Sequence, residues 1–131
     1  GEYTVSFTPT VSGALTVDVA VGDAGQETQP IPDFPVTAVV DAGPPSAQDS
    51  GLSGAGTAGA VIGQEVSLSV ALNDVNGNRA QEGGAPVRAD IQGADADVAV
   101  IDNGDGTYAI DYRITSALAP GQEVFLIILM D

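Results

Sequence analysis

The chain contains no cysteine, no histidine, no lysine and no tryptophan. Without cysteine there is no disulfide framework, thiolate nucleophile or thiolate metal ligand, a composition compatible with a reducing compartment. Without histidine, cysteine or lysine, the usual general bases and activated nucleophiles are missing, and only carboxylates remain to do such work. The sequence is therefore read as non-enzymatic, with no catalytic residue, cofactor or metal site expected. Long hydrophobic runs are also missing. The longest, Val124 to Met130, has seven residues and is too short to span a bilayer.

Positive charge is nearly absent. Three arginines, Arg79, Arg88 and Arg113, face 18 acidic side chains, for a net charge of −15. Nucleic acid is excluded as a partner class, because binding it requires cations that displace phosphate counterions. The same charge disfavours anionic membranes and favours solubility or a protein partner. Aromatics make up only 5% of a chain that is 44% hydrophobic, so its core must be built from aliphatic side chains with a few rings as anchors.

What is present is alternation. Tyr3, Val5 and Phe7 are spaced by two, as are Leu15, Val17, Val19 and Val21; Val36, Ala38 and Val40; and Val66, Leu68, Val70 and Leu72. Further on, Val87, Ala89 and Ile91 alternate with Arg88, Asp90 and Gln92, and Tyr108, Ile110, Tyr112 and Ile114 form another such series. Val98 to Ile101 is a shorter candidate. Period two is the mark of strands with one buried face. The breaks at Asn76-Gly77, Gly83-Gly84, Gly93, Asn103-Gly104 and Asp105-Gly106 carry turn chemistry. Many short strands with such punctuation predict an antiparallel sandwich. The glycine-rich Gly51 to Gly63 segment reads as an irregular loop.

An internal correspondence organises the chain. Gly1, Tyr3, Val5, Phe7 and Thr10 recur as Gly106, Tyr108, Ile110, Tyr112 and Thr115, and each copy continues through a glycine, Gly13 or Gly121, into an apolar strand. Between the copies, Asp41 to Pro45 reads as a linker stiffened by Pro44-Pro45. The aromatic pairs Tyr3 with Phe7 and Tyr108 with Tyr112 are each expected on one strand face, in the core. A phenolic hydroxyl there can reach a backbone carbonyl at a sandwich corner, a contact that sequence alone does not show. Asp74, Asn76 and Asn78 sit at alternate positions like the start of a calcium loop, but Arg79 replaces the required glycine and Ala85 the bidentate glutamate. Asp74 to Asn78 and Asp102 to Gly106 are therefore read as turns. Paired acids such as Asp95 with Asp97, or Asp102 with Asp105, are likewise read as loop residues.

These residues resemble filamin repeats. Asp102 to Tyr108 reads DNGDGTY and is followed by Ile110 and Tyr112; Gly1 to Thr10 reads GEYTVSFTPT; Pro30 to Val40 reads PIPDFPVTAVV. Ser50-Gly51-Leu52, Gly63, the Val66 to Val70 stretch and Asp74 with Gly77-Asn78 are similar to the start of such a repeat. The sequence departs from the family pattern at Pro32-Asp33, at Arg113-Ile114 and in three extra residues before Gly121. The resemblance implies an all-β, immunoglobulin-like antiparallel β-sandwich in tandem repeats, one partial and one nearly complete. Residues 1–40 would be strands E, F and G of one repeat, 41–45 a linker, and 46–131 strands A to F of the next, lacking its last strand. The function implied is a structural and protein-interaction module of a larger cytoskeletal or ciliary protein in the cytoplasm. The alternative is an extracellular adhesin or cell-wall stalk repeat.

Two surfaces are expected to bind protein. Filamin-type repeats pair an extended peptide with the C strand, which the resemblance sets at Pro86 to Gln92, with Arg88, Asp90 and Gln92 facing outward. Separately, Phe125, Ile127 and Leu129 make Val124 to Met130 apolar on both faces. Covering such side chains is worth roughly 1.5–3 kcal/mol each, on the order of 5–9 kcal/mol for three. The expected partners are an extended peptide or a neighbouring repeat joined by strand pairing, including head-to-tail self-association.

Overall fold

The computed structural model describes all 131 residues and divides into two compact units, Gly1–Asp41 and Ala42–Asp131. In the first, β1 (Gly13–Val17) pairs antiparallel with β4 (Val36–Val40), and β2 (Ala20–Val21) with β3 (Gln29–Pro30). The expected strand from Leu15 to Val21 is thus split between Val17 and Ala20, where the Val19 carbonyl accepts the Ile31 N–H at 3.0 Å. A turn closed by Gln26 N–H to the Asp23 carbonyl joins the two arms. No side chain of this unit is buried.

The expected strand at Tyr3 to Phe7 does not form. Residues 1–10 adopt no regular structure, and Tyr3 is 92% exposed whereas its counterpart Tyr108 is 2% exposed. Tyr3 and Phe7 are therefore surface residues and not core. The physical reason is pairing: Tyr108 has strands on both sides, and residues 1–10 have none.

The second unit is a sandwich. One sheet has the order β5-β6-β9-β8, from β5 (Pro45–Ser53), β6 (Val66–Asp74), β9 (Thr107–Ile114) and β8 (Ala96–Asp102). The other pairs β7 (Val87–Gln92) with β10 (Phe125–Met130), and all pairings are antiparallel. Alternation does the sorting. Leu68, Val70 and Leu72 of β6 and Tyr108, Ile110 and Tyr112 of β9 are buried, packed against Val87, Ala89 and Ile91 of β7 and Leu126, Ile128 and Met130 of β10.

Two sequence expectations change in this unit. The linker is shorter than expected, because Pro45 already pairs with Asp74 at the start of β5. The Gly51–Gly63 stretch is not simply a loop: Gly51 to Ser53 continue β5, and Ala55–Thr57 make a 3₁₀ turn. The glycines there serve close approach. A Cβ on Gly56 would lie 3.1 Å from the Tyr112 ring, and the buried Tyr112 hydroxyl donates to the Gly56 carbonyl at 2.7 Å. This is the corner bond anticipated for a phenolic hydroxyl. β5 also bulges between Ser46 and Gly51, where Ser50 Oγ replaces a missing ladder bond by accepting the Asn73 N–H at 3.1 Å and donating to the Ser46 carbonyl.

Candidate interaction surface

The site is built on the two-stranded sheet. Its register sets Phe125 opposite Gln92, Ile127 opposite Asp90, and Leu129 opposite Arg88. Residues directly opposite on antiparallel strands share a face. The three polar residues expected to face outward on one strand and the three apolar residues noted on another therefore form one continuous surface. Phe125 is 56% and Leu129 51% exposed, while Ile127 is half-buried. Arg88 also pairs with Asp131 at 3.0 Å, an exposed ion pair contributing less than about 1 kcal/mol.

β7 is held at both ends. At its entry, the Gly84 N–H donates to Asp102 at 2.6 Å and the Ala85 N–H to the Tyr108 hydroxyl at 2.8 Å. Both acceptors belong to the DNGDGTY stretch of the opposite sheet. The Gly84 N–H, then the Gly104 N–H at 2.8 Å, hold the Asp102 carboxyl below the usual carboxylate range, while burial pushes the Tyr108 hydroxyl up. At its exit, the Gln122 amide donates to the Gly93 carbonyl, and a Cβ on Gly93 would collide with the Glu123 carbonyl. Neither β7 nor β10 has a second strand neighbour.

Of the carboxylates considered for chemistry, Asp74, Asp97, Asp102 and Asp105 are engaged in architecture. Asp74 is buried and accepts the Gly43, Asn76 and Asn78 N–H groups and the Asn78 amide at 2.8–2.9 Å. Asp105 accepts from the Thr107 N–H and hydroxyl, and Asp97 pairs with Arg113 at 2.6 Å. Both turn readings describe the observed geometry.

Sequence reasoning missed a cavity of about 150 Å³ at the edge of the sandwich, lined chiefly by Ala47 and Leu52 of β5, Val70 of β6, and Ile128 and Met130 of β10. Its only trace in the sequence is the pair of small residues at Ser50-Gly51, which permit the bulge.

A family model, the filamin/ABP280 repeat, matches residues 44–121, more than half of the chain and most of the sandwich unit. Repeats of this family are structural, non-enzymatic protein-interaction modules with an immunoglobulin-like fold, generally of the cytoskeleton. No helix is long and apolar enough to cross a membrane. With its DNGDGTY turn anchoring the opposite sheet and its family match running from Pro44 to Gly121, the chain belongs to the filamin repeat family.

Proposed function

We propose that the chain is a spacer and docking element of a larger filamin-like protein of a cytoskeletal or ciliary assembly, and that it binds extended protein segments by strand pairing along β7. In this reading β5 to β10 are strands A to F of a repeat, and β1 to β4 correspond to strands F and G of another, whose strand E position, residues 1–10, forms no strand. The sheet orders β5-β6-β9-β8 and β7-β10 support it, since A-B-E-D opposite C-F is the immunoglobulin arrangement. The observation that carries the docking reading is the register that sets Phe125, Ile127 and Leu129 beside Gln92, Asp90 and Arg88. An incoming strand beside β7 gains backbone hydrogen bonds from the edge and apolar contact from the β10 side chains. The charge of −15 favours a neutral or basic segment. No specific observation favours the extracellular stalk.

The test is a titration of the isotopically labelled chain with synthetic ten-residue peptides that alternate valine with lysine or with serine. The expected result is saturable NMR shifts centred on Val87 to Gln92, stronger for the lysine series and reduced at least tenfold by Phe125→Asp with Leu129→Asp. Shifts centred elsewhere, or none up to millimolar peptide, would overturn it.

A further inference from the structure

The sequence holds two Asn-Gly pairs, Asn76-Gly77 and Asn103-Gly104, and one Asp-Gly pair, Asp105-Gly106. An asparagine or aspartate followed by glycine is chemically labile, because glycine has no side chain to shield the backbone nitrogen that attacks the preceding side-chain carbonyl. Whether such a pair reacts depends on how firmly the fold holds that side chain and that nitrogen. The three pairs are held very differently. Asn103 is fastened at both reacting groups: its side-chain amide donates to Thr107 Oγ1 at 3.0 Å, and the Gly104 N–H donates to the Asp102 carboxylate at 2.8 Å. A charge-assisted bond of the second kind is roughly twice as strong as a neutral one and opposes loss of the amide proton. The Asp105 carboxylate accepts from Thr107, and Gly106 is buried, so close to the Ala80 carbonyl that a Cβ would collide with it.

Asn76 is different. It lies exposed at the tip of the turn after β6, and its side-chain amide has no hydrogen-bond partner. The Gly77 N–H is held only by the neutral Asp74 carbonyl, at 3.0 Å, and Gly77 has φ +81° with open space around its Cα. Local opening of such a turn tip costs little compared with opening a packed strand.

We infer that Asn76 is a site of spontaneous deamidation and isomerisation, the position at which this fold leaves an asparagine open to its own backbone. The Gly77 nitrogen attacks Asn76 Cγ and forms a new C–N bond. The Cγ–Nδ2 bond breaks, the Gly77 amide proton passes through water to the departing nitrogen, and ammonia leaves. Water then opens the cyclic imide at one carbonyl to give aspartate or at the other to give isoaspartate, so water is the one co-reactant. The isoaspartate product strikes at the hold on Asp74. Asp74 Oδ1 accepts the Asn76 and Asn78 N–H groups, each at 2.9 Å, and Oδ2 accepts the Asn78 amide and the Gly43 N–H. Isoaspartate inserts a methylene into the backbone between the first two donors and sets a second carboxylate beside Asp74, so the donors no longer converge. The pairing of Pro45 with Asp74 and of Ser46 with Asn73, where β5 begins, weakens with them. Aspartate at the same position adds the charge but keeps the backbone. The inference is independent of the β7 docking reading.

The test is ageing of the whole chain at mildly alkaline pH, folded and in urea, followed by peptide mass spectrometry with isoaspartate-specific enzymatic methylation to separate the two products. In the folded chain Asn76 is expected to convert at least fivefold faster than Asn103, and in urea the two rates should come within twofold of each other. Thr107→Val, which frees the Asn103 amide, should accelerate Asn103 in the folded chain. The isoaspartate fraction should show a lower thermal midpoint than fresh protein, while Asn76→Asp stays close to it. Folded-state conversion of Asn76 no faster than that of Asn103 overturns the inference. So does a preference for Asn76 that persists undiminished in urea, since the fold would then not be its cause. An isoaspartate fraction with an unchanged midpoint overturns the link to Asp74.

Discussion

Tyr112 combines two roles in one side chain: its ring fills the core and its hydroxyl reaches across 56 positions of sequence to the Gly56 carbonyl. Removing only the hydroxyl in Tyr112→Phe leaves a buried carbonyl without its donor, and a loss of about 1–2 kcal/mol is expected in denaturant unfolding. Asp74 makes a pH-dependent contribution. The Asn78 amide, the Gly43 N–H and the other turn donors lower its pKa from 3.8 to about 2. A depressed folded-state value means stability that is present above about pH 4 and lost as pH falls toward 2, because the unfolded chain takes up the proton first. The thermal midpoint of the chain should therefore fall between pH 4 and pH 2. Asp74→Asn should be less stable at pH 6 and should flatten that fall, leaving the smaller contributions of Asp102 and Asp105, whose pKa values are lowered in the same sense.

Among the elements, β6, β7 and β9 were legible in the sequence because alternation over six or more residues leaves one choice of buried face. The equally regular Tyr3 to Phe7 misled, since period two specifies a face but cannot supply the strands that cover it. β5 was hidden for the opposite reason. Its bulge and small residues break the alternation, and only the paired structure reveals that Ser50 bridges the gap. Of the candidate surface, the two strand faces were readable but their juxtaposition was not, because register between β7 and β10 depends on the turns that precede each strand. Protection should follow this order in native-state hydrogen exchange. Amides of β6 and β9 should exchange slowest, those of β10 faster, and those of β1 to β4 at rates near an unfolded chain, as expected for paired strands with no buried face. Protection of β1 to β4 comparable to that of β9 would contradict the division into a packed and an unpacked unit.

For the whole molecule, the absence of histidine, cysteine and lysine leaves almost nothing to titrate between the carboxylates and the tyrosines. Near neutrality its charge is fixed, so ionic strength and partners, not pH, are the variables to which it can respond. The way β7 is fastened bears on the docking proposed for that strand. Asp102 and Tyr108 hold one end, and Gln122 and Glu123 crowd the other. A strand fixed in this way has little conformational entropy left to lose. The ordering cost of docking falls almost entirely on the incoming segment, at roughly 1–2 kcal/mol for each backbone residue it immobilises. Under the proposed docking, affinity on this edge is governed by how extended the partner is before it arrives, and partners of equal contact area but different stiffness are ranked by stiffness.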